Sequence, residues 1–139
     1  MPATAVRPRI VSWLWPLMLL LGAATALLAW VFLALLTGRQ MGWMAIVVGL
    51  ELVFMLRLGT LRGGPLRVVL VVSGTLLVTA LAWWSIASAW LGSAMGLAPW
   101  ESALRMGPHL AWTLVGLANT PWDWIGLPVA LLVGAWLAR

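Results

Sequence analysis

The sequence predicts an all-α integral membrane protein: a bundle of four transmembrane helices with an interfacial or re-entrant helical segment between the third and fourth spans. Three observations predict it. Of 139 residues, 64% are hydrophobic and only 8% charged, whereas soluble domains carry about 25% charged residues. Long apolar runs contain no charge at all. The arginines fall where those runs end, as anionic headgroups and the positive-inside rule favour. The net charge of +5 is thereby explained without a nucleic-acid partner. Cysteine is absent, which excludes disulfides, zinc thiolates and cysteine nucleophiles.

The chain opens on MPATAVRPRIVSWLWP, which has the look of a signal n-region. The apolar stretch from Val11 to Leu36 is much longer than the roughly 7–15 residues of a signal core and long enough to cross about 30 Å of hydrocarbon. The first span is therefore expected over residues 11–36, uncleaved, with Pro16 in an early turn where its missing donor costs little. Trp13, Trp15 and Trp30 are expected near its interfaces.

Thr37-Gly38-Arg39-Gln40 reads as a short polar turn. A second span follows over 41–58 and ends at Arg57 and the Gly63-Gly64-Pro65 breaker, so the first two spans form a hairpin. The third runs over 66–91, where Ser85, Ala89 and Ser93 follow a small-xxx-small spacing that lets a neighbouring helix approach. Residues 99–118 are more polar and are broken at Gly107-Pro108. They predict a surface-lying or re-entrant helical pair with Glu101 and Arg105 at i,i+4 on a wetted face and Leu110, Trp112, Leu114, Val115 and Leu117 towards the headgroups. A long broken span over 108–138 is the competing reading. The fourth span is expected over 121–138, started by Thr120-Pro121 with Asp123 near the positive helix end and kinked by Pro128.

Arg7, Arg9, Arg57, Arg62, Arg67 and Arg139 fall on one side of this topology, and Arg39 and Arg105 on the other. That imbalance places both termini in the cytoplasm. The absence of lysine beside abundant alanine, glycine, tryptophan and arginine points to a bacterial inner membrane.

Glu51 is the one acid deep inside a predicted span, since Asp123 stands at the very start of the fourth. By helical rise it lies about 9 Å from Arg57, at a depth shared by Thr25 on the first span and Ser73 or Thr75 on the third. These four form a candidate intramembrane polar cluster. An intramembrane acid is a candidate functional residue by default; the plainer expectation is a structural tie between helices or to a partner subunit. Glu101, Arg105, His109 and Asp123 form a candidate outer-face polar group. They match no metal spacing such as H-E-x-x-H and no G-x-S-x-G elbow, and so no enzyme, metal or cofactor is expected. The tryptophans, whose faces can bind cations or quinones, lie mostly near span ends where anchoring explains them. Four short spans with one buried glutamate are similar in outline to the small multidrug-resistance transporters, which carry that glutamate in the first span; no motif is shared. The expected function is a small accessory or structural subunit packing against lipid, partner membrane proteins or further copies of itself. The alternative is a small oligomeric transporter or channel that uses Glu51 as an ion- or proton-coupling carboxylate.

Overall fold

The computed structural model describes residues 13–139, so Arg7, Arg9 and the start of the first predicted span at Val11 lie outside the described residues. Six helices follow in order: α1 Leu14–Thr37, α2 Met44–Leu58, α3 Pro65–Met95, α4 Pro99–Arg105, α5 Pro108–Ala118 and α6 Pro121–Ala138. No strand occurs among the described residues. Three of the helices, α1, α3 and α6, are long and apolar enough to cross a membrane, which marks a multi-pass helical membrane protein. The outward surface agrees with a hydrocarbon surround: Leu28, Phe32 and Leu132 stand 70%, 64% and 72% exposed, an arrangement water would penalise and lipid does not.

Glycine and proline set the element boundaries. Gly38 and Gly96 end α1 and α3 in the left-handed conformation, each donating its N–H back to a carbonyl four residues earlier, the usual glycine stop. Pro65, Pro99, Pro108 and Pro121 each stand in a first helical turn, where a missing N–H leaves nothing unpaired. The helix α6 runs through Pro128 without interruption.

α3 is the central post, 31 residues long, and every other helix packs on it. α2 is packed most extensively against α6 and α1. The close approaches use small side chains at every fourth position. In α6 the buried residues are Gly126, Ala130, Gly134 and Ala138, and in α1 they are Gly22, Ala26 and Ala34, with Trp30 the one large residue in the row. The Ser85, Ala89 and Ser93 spacing on α3 is not the contact that the fold uses: Ser93 is exposed and the other two are half-buried. At Gly49 an added Cβ would stand 3.3 Å from the Ala130 carbonyl, and at Gly126 it would stand 2.6 Å from the Gly42 carbonyl. Backbone meets backbone along the α2–α6 seam, the packing that dispersion favours where no hydrophobic drive separates helix from lipid.

The ends of the bundle follow from these contacts. Gly59 abuts Trp15, and Gly63 abuts Arg139; the start of α1, the end of α2, the start of α3 and the end of α6 thus share one end. The turn after α1, the start of α6 and the end of α3 lie at the other. There α4 and α5 form a helical pair folded back along α3. Ser102 of α4 packs on Gly92, the Met106 bend on Ala87, and α5 returns so that Ala118 reaches Trp90.

Candidate functional site

The carboxyl of Glu51 and the hydroxyl of Thr25 meet. The hydroxyl donates to Oε1 at 2.5 Å while also lying 2.9 Å from the Leu21 carbonyl of its own helix. Ser73 and Thr75 do not join them. Ser73 is exposed and donates to Val69 at 2.6 Å, and Thr75, fully buried, donates to Val71 at 2.7 Å. Both take the i−4 carbonyl that a mid-helix hydroxyl reaches most easily. Thr75 faces Gly49 on α2, two residues and slightly more than half a helical turn from Glu51. The pair Thr25–Glu51 consequently lies on the outward side of the α1–α2 seam: Thr25 is exposed and Glu51 half-buried.

The outer-face group does not assemble into one site. Glu101 accepts the Ala98 N–H at 3.3 Å and caps its own short helix. No ion pair within 4.0 Å occurs among the described residues, so the expected Glu101–Arg105 pair is absent. His109 is exposed in the first turn of α5, and no grouping of metal-ligand side chains occurs among the described residues. Asp123 has a different role. Its Oδ1 accepts the Gly42 N–H at 2.7 Å, and its Oδ2 accepts the Thr120 N–H at 2.9 Å and the Thr120 hydroxyl at 2.8 Å. One carboxylate thereby caps α6 and fastens it to the entry of α2. Gly42 is required there because Asp123 backbone occupies the space a Cβ would need.

Beside this anchor lies a polar cavity of about 330 Å³ lined by Arg39, Gln40, Trp43, Trp90, Thr120 and Asp123. Gln40 is 2% exposed, and neither its amide nitrogen nor its amide oxygen has a partner. Its backbone carbonyl accepts the indole N–H of Trp30 at 2.9 Å. Trp30, expected at an interface, is instead 0% exposed, because that bond satisfies its one polar atom inside the core.

At the opposite end two arginines hold the last carbonyls of α6. Arg67 donates from Nε to Ala138 at 2.8 Å, from Nη2 to Arg139 at 3.1 Å and from Nη1 to Leu61 at 3.2 Å. Arg57 donates to Leu137 at 2.9 Å. The guanidinium fork answers orphan carbonyls and the negative end of the helix dipole together. In the sequence both arginines mark span ends and orientation. A cation in the first turn of α3 opposes that helix's own dipole, and this was the legible hint that Arg67 serves a neighbour.

A third feature is aromatic. Trp83 stands edge-on to Trp124 at 5.2 Å, and Trp124 to Trp112 at 5.7 Å. Trp124, expected as an interfacial anchor, is thus a packing residue between α3 and α5. No protein-family model matches this chain, and no curated protein or solved structure is similar to it.

Proposed function

We propose that the chain is a small accessory subunit of a bacterial inner membrane, crossing four times with both termini in the cytoplasm, which works by packing its α1–α2 seam against a partner membrane protein or a further copy of itself. The observation that carries this reading is the placement of Glu51. Its carboxyl lies between the ends of α2, on the outward side of the seam, and Thr25 satisfies only one of its oxygens. A charge facing lipid near mid-span costs about 2.5–3.5 kcal/mol on insertion scales. A donor from an adjoining helix removes much of that cost and contributes about 0.6–2 kcal/mol to association.

The four-crossing topology is supported by the course of the chain. α2 has 15 residues, about 22 Å by helical rise, yet it connects the two ends of the bundle between Gly42 at Asp123 and Gly59 at Trp15. Snorkelling by Arg57 at one end makes up length for a short span.

Replacement of Glu51 separates this function from transport. Glu51→Gln keeps shape and hydrogen bonding, and the complex recovered in mild detergent should be unchanged. Glu51→Leu should lower the recovered complex about threefold or more, the equivalent of losing one interhelical bond. A Gln variant that assembles normally but has lost a pH-dependent transport activity would sink the subunit reading and establish the coupling-carboxylate alternative.

A further inference from the structure

The polar cavity at the α1–α2 turn holds groups whose capacity the fold does not exhaust: Asp123 Oδ1 accepts a single N–H, from Gly42, and the Gln40 amide has no partner. Arg39 and Asp123 both line it, yet no ion pair joins them. A cation and an anion facing one space without touching leave room for a ligand of the reverse polarity. Trp43 and Trp90 also line it, and an ammonium near both a carboxylate and indole rings is attracted by each. Gln40 supplies the further observation. Its amide is buried with one donor group and one acceptor unpaired, whereas buried amides in native structures have partners. A rotation of that side chain presents a carbonyl to an ammonium and an N–H to an anionic oxygen.

We propose that this chamber binds an ammonium–phosphate zwitterion, its ammonium at Asp123, Trp43 and Trp90 and its phosphate at Arg39. This is the chemistry shared by an aminophospholipid headgroup and soluble phosphoethanolamine. Two placements favour the lipid. The chamber lies where α1 ends and α6 begins, the level at which headgroups meet a span. Gln40 also forms one wall of a neighbouring apolar cavity of about 220 Å³, lined by Ala87, Leu91, Leu114 and Ala118, which suits the start of an acyl chain. Phosphate alone is a poorer match, because Asp123 repels it.

The full chain, reconstituted with equal phosphatidylethanolamine and phosphatidylglycerol and then stripped with mild detergent, provides the test. Native mass spectrometry should show about one phosphatidylethanolamine retained per chain, with phosphatidylglycerol lost. Gln40→Leu and Arg39→Gln should each reduce that retention about tenfold, as loss of a charge-assisted or buried contact would, while the variants stay monodisperse. A second arm adds phosphoethanolamine, glycerol phosphate or inorganic phosphate to the delipidated protein and follows its thermal midpoint. A rise with phosphoethanolamine alone, without lipid retention, assigns the same site to the soluble zwitterion. Equal retention of both lipids, full retention in Gln40→Leu, or an equal rise with inorganic phosphate would overturn the assignment.

Discussion

Single residues in this chain act across long sequence separations, and the two arginines at the end of α6 are the clearest case. Arg67 is 7% exposed and spends its donors on Leu61, Ala138 and Arg139. Removing the guanidinium strands the buried Ala138 carbonyl, at a cost of about 1–3 kcal/mol. Arg67→Leu should therefore lower the thermal midpoint in detergent well below that of Arg62→Leu, whose arginine is exposed and makes no contact of this kind. Equal midpoints for the two variants would show that the clamp contributes nothing. Composition made the positions of these arginines legible, since they end apolar runs; their partners were not legible, because a carbonyl 71 residues away leaves no mark on local pattern. The same limit applied to Glu51. Depth counting along straight helices found Thr25 but could not supply rotation about the axis, and rotation turns Ser73 outward and Thr75 towards Gly49.

At the scale of elements, the boundaries were the most readable part of the chain because proline and glycine fix them chemically. The packing faces were less so. A helix that is apolar all round gives no amphipathic stripe to say which side meets protein, and the signal that remains, small residues every four positions in α6, is no stronger in the sequence than the similar spacing in α3 that the fold does not use. The sequence predicts α4–α5 as surface-lying or re-entrant, and the course of the pair along α3 makes a specific expectation. Ser102 is 1% exposed against Gly92, whereas Glu101 and Arg105 on the same helix are exposed. Cysteines placed at Glu101 and Arg105 should react with a membrane-impermeant thiol reagent at least tenfold faster than one at Ser102, since reaction requires an accessible thiolate. Comparable rates at all three would mean that α4 leaves α3 and lies free on the membrane.

For the whole molecule, the question is whether α2 crosses the bilayer. Its 15 residues fall short of the roughly 20 that about 30 Å of hydrocarbon requires, so length alone argues for three crossings. Packing argues for four. Asp123 ties the start of α2 to the start of α6, and Arg57, in its last turn, reaches Leu137 near the end of α6; α2 therefore travels the height of a helix that is itself long enough to cross. A four-crossing chain returns to the side on which α1 began, and a three-crossing chain does not. A reporter fused after Arg139 should then be active in the cytoplasm, and one inserted at Gly96, in the exposed turn before α4, should be active only after export. A pair of reporters at Gly38 and Thr60, on either side of α2, decides between the two counts, because they should report opposite sides only if α2 crosses. Gly38 and Thr60 fusions that report the same side would reduce the membrane-crossing set to α1, α3 and α6. With α1 entering from the cytoplasm, the arginines at residues 57, 62, 67 and 139 would then lie on the outer face, against the electrostatic preference that orients short loops.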